Sequence, residues 1–489
     1  MLSIQRKNHH LMWRAGFGPS ASQLEQLKEI SPLQLYKALQ KASAKKPEYI
    51  DVADNYLKGL MMGIDDVAKQ SRKEMDKEDK KMVRQKQRDS IKNLNLTWLD
   101  EMVDSNAQLR EKMSLFWHGH FASRNINIFF QQGLLDVVRA NALENFRDLL
   151  HQVSKSAAML NFLNANQNRK GHPNENFARE VMELFTLGRG HYTENDIKEA
   201  ARAFTGWGAN AKGEFVFRKF QHDDETKLVF GKTGRLSGED VLDLLLEKKQ
   251  TSHFITQKIY RYFVNENVDA AKVEWLADRF YKNYYHIGKL MEDIFTSDWF
   301  FNEKNIGVHI KSPIELLAGM QRILPMQIDN REPLLLLQRV LGQMLFYPPN
   351  VAGWPGGKAW IDSSTLMLRL RLPQLISDKD EFNIRPKIDD DQMMGGKDNE
   401  EMKPTGKGNK AFGKLNKPIT VDIEWSTYTK NFESIPRENL IEALSGTLFQ
   451  TKTSLTKDSL KNYIDESGRE SFIKTATIQL MSTPEYQMC

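Results

Sequence analysis

Residues 171–208, GHPNENFAREVMELFTLGRGHYTENDIKEAARAFTGWG, decide the fold class. Pro173 can open a helix, and on it Asn176, Glu180 and Glu183 fall at i, i+4 and i+7, one polar stripe in an otherwise apolar helical setting. Thr193 and Asp196 form a cap ahead of IKEAARAF, so a second helix follows at once. Gly206 is placed to end it with a positive φ, and Trp207 begins an irregular stretch. The same punctuation recurs outward along the chain. Ser31 precedes Pro32, and Ser312, Pro313 and Glu315 make a Ser-x-x-Glu capping box before an apolar run. Only between Glu214 and Gly238, where Phe215, Phe217 and Phe220 alternate imperfectly, does the pattern suit strands. The expectation is an all-α protein, a mainly α-helical, multi-helix body with at most a short β-hairpin.

That body is expected to run over residues 1–376. Residues 377–418, rich in Asp, Lys, Gly and Met, hold too few apolar side chains to offset the entropy of ordering and read as a flexible low-complexity loop. Residues 419–489 resume with PRENLIEALSGTLF and SFIKTATIQLMSTPEY, a C-terminal helical tail expected to pack on the body. Lys69 to Lys92 carries ten basic and five acidic residues. It reads as a solvated helix or, alternatively, as an arm for an anionic partner.

Of the 489 residues, 40% are hydrophobic and 27% charged, which suits a chain folded around a proper core and excludes wholesale disorder. Lys plus Arg (69) exceed Asp plus Glu (64) by only five, a small surplus on a large surface, so nucleic acid is not an expected partner. Cys489 is the single cysteine, which leaves no intramolecular disulfide and no cysteine-based zinc site and suits a reducing compartment. The N-terminal MLSIQRKNHHLMWRAGFGPS has no apolar run of signal-peptide length, and no window is long and apolar enough to span a bilayer. A cytoplasmic protein without membrane insertion is expected.

Four motifs could carry chemistry. In FWHGHF (116–121), helical geometry sets His118 and His120 about 200° apart, so the two cannot chelate one ion. His120 shares a face with Phe116 and Met113 and is either a backbone-bonded core histidine or a metal ligand. On the polar stripe, Glu180 and Glu183 lie one turn apart. They suit a divalent metal ion, with His120 as a third ligand, or proton transfer, with Arg179 as a catalytic partner. The alternative is a structural network in which Arg179, Arg189 and Arg202 neutralise those carboxylates. His222, beside Asp223 in QHDDETK, either supports acid–base work or makes a turn. PPNVAGWPGGKAW, from Pro348, specifies a rigid turn whose Trp354 and Trp360 pack on the core or line a groove. Asn174, Asn176 and Trp207 are the other candidate binding residues. The chain has no Walker loop, no GxGxxG between strand and helix, no GxSxG and no HExxH.

Taken together, HHLMWRAGFGP, FWHGHF, HPNENFAREVMELFTLGRGHYTENDIKEAARAFTGW, HIKSPIELL, PPNVAGWPGGKAWIDSST and LMSTPEYQMC resemble the bacterial domain-of-unknown-function 1800 family over nearly the whole chain. The resemblance supplies no reaction. Members are often encoded beside the domain-of-unknown-function 1501 family, which is similar to sulfatases, and this implies a sulfatase-like partner. Many members carry export features, whereas this sequence begins at the shared HHLMWRAGFGP region. A few dozen residues around NEN and EAAR also resemble animal-type haem peroxidases; that family's proximal histidine has no clear counterpart, and His253 is the residue to try. Two functional readings follow. One is a metal-assisted enzyme whose pocket joins the polar helix, His120 and the Trp354 loop. The other is a non-enzymatic scaffold in which the same polar groups are buried networks.

Overall fold

The expected helix starts are where the caps place them. In the computed structural model, which describes residues 2–62, 75–377, 421–451 and 460–489, Ser31 caps the helix Pro32–Ser43, Thr193 the helix Glu194–Ala203 and Ser312 the helix Pro313–Ile323, each through a reciprocal capping box. Each box satisfies two amides that the helix itself leaves without acceptors. Pro173 opens no helix. Asn174 accepts from the Asn176 amide and acts as the N-cap, so the helix begins at Glu175. The charged segment forms the start of one long helix, Lys77–Asp104, which is solvated in its first turns and buries Ile91, Leu94, Trp98 and Met102 further on. Residues 69–74, like nearly all of the low-complexity segment, lie outside the described residues.

Strand structure among the described residues is limited to three two-stranded antiparallel pairs. Two hairpins follow Gly206, Trp207–Ala209 with Phe215–Phe217 and Lys227–Val229 with Lys232–Gly234. The third pairs Met326–Ile328 with Val421–Ile423. The protein is therefore mainly α-helical, and none of its described helices is long and apolar enough to cross a membrane. The helices Leu440–Leu448 and Arg469–Met481 pack on one another, and the latter packs on Ser363–Ser377.

At the centre lies the helix Gln108–His120, whose residues are buried everywhere except Gly119. Met113, Phe116 and Trp117 face one apolar cluster with Phe121, Phe146 and Phe185, while Leu115 faces a second with Trp98, Ile314 and Phe346. A helix enclosed on all sides must match every polar side chain it carries. Glu111 accepts from Arg139 at 2.9 Å and 3.0 Å, from Arg110 Nε at 2.9 Å and from Trp98 Nε1 at 3.0 Å. Gln108 Nε2 donates to the Met102 and Ser105 carbonyls at 2.9 Å and 2.8 Å, closing the turn between this helix and the preceding one.

Lys112 is paired with Glu315, both essentially without solvent exposure, and donates to the Trp13 carbonyl at 3.1 Å. The Glu315 carboxylate also accepts from the Ser312 amide at 2.6 Å and lies 3.2 Å from His309 Nε2. Despite burial, the neighbouring Lys112 and His309 hold its carboxyl well below the ordinary glutamate range. Around this carboxylate the chain closes on itself. His309 and Cys489 exchange backbone hydrogen bonds of 3.0 Å and 2.8 Å, and Lys311 donates through Nζ to the Tyr486 carbonyl at 2.6 Å, between the rings of Trp13 and Tyr486.

Burial also favours the neutral form of five histidines. Desolvation lowers His9 to about 4 and His118 to about 3, and it pushes His10, His120 and His309 down as well. Above the unfolded value near 6.5 both states are neutral and the native fold keeps its full stability. As pH falls below 6.5 only the unfolded chain takes up these protons, and each such histidine removes up to about 1.4 kcal/mol per pH unit. The urea midpoint should therefore fall steeply from pH 6.5 towards 4; a midpoint that is flat between pH 7 and 5 would show these imidazoles to be solvated.

Candidate functional site

Asn174, Asn176 and the two glutamates of the polar stripe are placed by a helix that changes type midway. The α-helix Glu175–Glu180 continues as a π-helix over Val181–Thr186, and the Leu187 amide reaches back to the Met182 carbonyl at 2.8 Å. Single π turns inside α-helices are rare and concentrate at functional sites, because the extra residue re-aims the side chains around it. Asn174 serves as the cap, and Asn176 donates to the Leu163 carbonyl at 3.2 Å, tying the helix start to the preceding turn.

The two carboxylates have been driven apart in character. Glu183 accepts from the Tyr192 hydroxyl and, at 3.0 Å and 2.8 Å, from the Arg189 guanidinium, and these bonds lower its carboxyl below the usual value. Desolvation, reinforced by the Glu183 charge, pushes Tyr192 up to about 12. Glu180, half-buried, has no hydrogen bond among the described residues, and its carboxyl is raised by desolvation first and by the charge of Glu183 second. One carboxyl is thus lowered and its neighbour raised, the kind of asymmetry by which paired carboxylates divide acid and base roles.

Arg179 does not reach either of them by hydrogen bond. It clasps Glu194 at the start of the next helix, at 3.0 Å and 2.8 Å, with Glu175 at 3.4 Å. Arg202 pairs with Asp223 and Glu199, both at 2.8 Å. His222 is buried beneath the same loop and donates from Nδ1 to the Thr205 carbonyl at 2.8 Å, while the Asp223 amide donates to the Thr205 hydroxyl. Gly206 has the expected positive φ of 83°, and a side chain there would meet the Arg218 carbonyl. Trp207 is in the core, edge-on to Phe204 and Phe215 at 5.0 Å and 5.3 Å.

His118 and His120 leave the central helix in opposite directions, as the helical period requires. His118 Nε2 accepts from the Phe346 amide at 3.1 Å, and its ring lies 5.5 Å from that of Trp354. The Trp354 loop is pressed onto this helix closely enough that a Cβ on Gly353 would overlap the Gly119 carbonyl oxygen. Trp360 is buried behind it. On the other side, His120 Nε2 bonds to the Phe185 carbonyl of the π-helix at 3.2 Å, and Nδ1 bonds to Lys258 at 2.9 Å. The Trp354 loop and the π-helix thus both touch the central helix, the first through His118 and the second through His120, whereas His222 is bonded to Thr205. The motifs singled out from sequence do not form a three-ligand metal site: both His120 nitrogens are engaged, and among the described residues no three His, Cys, Asp or Glu side chains are placed to hold a metal ion. His253, the haem candidate, lies partly exposed, 3.9 Å from Glu274.

Lys258 is the contributor that sequence reading missed. It sits on the helix Lys249–Phe263, where lysine is unremarkable, and its partner is 138 positions away. Glu315 was legible only as a capping residue.

A measurement of the carboxyls themselves checks the asymmetry. Carboxyl-carbon NMR titration should place Glu180 above and Glu183 below the ordinary glutamate value. Glu183→Gln should lower Glu180 partway, since its charge is the second cause of the shift; an unmoved Glu180 would mean the two are not coupled.

A family model described as protein of unknown function (DUF1800) matches residues 10–488. No curated protein and no solved structure matches the chain.

Proposed function

The chain belongs to the DUF1800 family of proteins of unknown function, and we propose that it is an enzyme whose acid–base pair is Glu180 and Glu183. The observation that carries this reading is the divergence of two adjacent carboxyls, one unpartnered and raised, the other anchored and lowered. Glu180 serves as the proton donor, because a carboxyl that retains its proton nearer neutrality is the better general acid. Glu183 remains ionised, held by Tyr192 and Arg189, and stabilises positive charge or accepts a proton from water or substrate. Arg179 and His222 act at one remove: the first ties the following helix to this one, the second shapes the loop that carries Asp223. A divalent metal ion is not part of the proposal, because among the described residues no three His, Cys, Asp or Glu side chains are placed to hold one.

The test is a panel of chromogenic esters, phosphate esters and glycosides, assayed with the wild-type chain and with Glu180→Gln. Any substrate turned over should lose about 10²- to 10⁴-fold in rate in the variant while its unfolding midpoint is kept. Equal rates in folded wild type and variant would refute the role.

The second reading is a scaffold that partners a sulfatase-like protein of the domain-of-unknown-function 1501 family. The ion pairs of Arg179, Arg189 and Arg202 favour it, since they join neighbouring segments as a structural network does.

A further inference from the structure

We propose that Lys258 is a nucleophilic amine that condenses with an aldehyde or ketone, with His120 as the hydrogen-bond acceptor that orients it. The proposal is independent of the roles of Glu180 and Glu183.

Its ground is an ammonium group without a counter-charge. Lys258 forms no ion pair with a carboxylate among the described residues, and desolvation is the one influence on it, lowering its amine to about 8. Its Nζ touches His120 Nδ1 at 2.9 Å and the Leu184 carbonyl at 3.5 Å, and it faces the Phe254 ring 5.1 Å from the centroid. A lysine meant only to hold structure would be paired or would extend into water, because an uncompensated ammonium in apolar surroundings is costly. A lysine kept partly neutral by desolvation is the arrangement that amine nucleophiles use.

The partners also settle the imidazole's tautomer. The Phe185 carbonyl can only accept, so Nε2 carries the hydrogen and Nδ1 presents a lone pair to Lys258. The ring is fixed among Phe121, Phe146 and Phe185, with centroids 4.5 Å, 6.5 Å and 6.0 Å away. The ammonium loses a proton to solvent, and the freed Nζ lone pair attacks the carbonyl carbon while His120 Nδ1 holds a remaining N–H. A C–N bond forms and the C=O π pair moves to oxygen, which takes a proton from solvent. The carbinolamine then loses water. Overall, the ammonium and the carbonyl compound give a protonated imine and one water, with charge conserved and no oxidant or reductant needed.

Both π-helix carbonyls in this arrangement, those of Leu184 and Phe185, come from the turn that follows Glu183.

The full chain is treated with propionaldehyde and cyanoborohydride, which fixes any imine as a secondary amine, and the labelled lysines are mapped by peptide mass spectrometry. At pH 7 Lys258 should be alkylated about tenfold or more faster than exposed Lys219, because a far larger share of its amine is unprotonated. Its rate should rise with a midpoint near 8. His120→Asn should slow the labelling of Lys258 and leave Lys219 unchanged. Labelling of Lys258 at or below the Lys219 rate in the folded wild-type chain would overturn the proposal. Fast labelling that a folded His120→Asn variant does not alter would overturn the role of His120. If that variant does not fold, the wild-type pH profile decides: a midpoint in the ordinary lysine range contradicts the pairing.

Discussion

The pairing of Lys112 with Glu315 is the interaction on which the rest of the molecule depends. Neither side chain has more than a trace of solvent contact, so each ion survives only because the other, with the Trp13 carbonyl, His309 and the Ser312 amide, replaces the water it has lost. The requirement is geometric as well as energetic. Lys112 belongs to the central helix, Trp13 to the first helix, and Glu315 to the first turn of a helix entered past the segment that exchanges backbone hydrogen bonds with residues 487–489. One charge pair thus fixes the relative placement of four segments distant in sequence.

From that fixed helix the remaining architecture follows. The 3.6-residue period sends His118 towards the Trp354 loop and His120 towards the π-helix and Lys258, so one rigid element sets both walls. Rigidity matters for orienting the amine, because a small displacement of Phe185 or Lys258 would disengage the imidazole. The polar stripe, by contrast, rests on the surface pairs of Arg179 and Arg189, which are salt-screened and individually weak. Position is strict at the buried end of this region and adjustable at its outer end.

Much of this was legible in the residues. The capping boxes at Ser31, Thr193 and Ser312 mark helix starts because the cap is a local device, complete within four residues. The opposed directions of His118 and His120, the positive φ of Gly206 and the short hairpin after it are likewise local consequences of backbone geometry. Three things were not legible. Pro173 reads as a helix opener, but the Asn174 side chain competes for the Asn176 amide and defers the start. Glu315 reads as a cap, and nothing within its own turn reveals that the same carboxylate holds Lys112. Lys258 reads as a surface lysine, because its environment is built by residues on other helices. Local signals specify elements; the state of a charged group depends on long-range burial, to which a single sequence is silent.

The dependence on the Lys112–Glu315 pair is tested most directly by a double-mutant cycle in urea unfolding, comparing Lys112→Met, Glu315→Gln and the double variant. Each single substitution leaves a buried group without its partner and should cost about 3–5 kcal/mol. The double variant should cost well under the sum of the two, with a coupling of about 1–3 kcal/mol. Single costs below about 1 kcal/mol, or costs that simply add, would contradict the account and move the organising constraint elsewhere in the core.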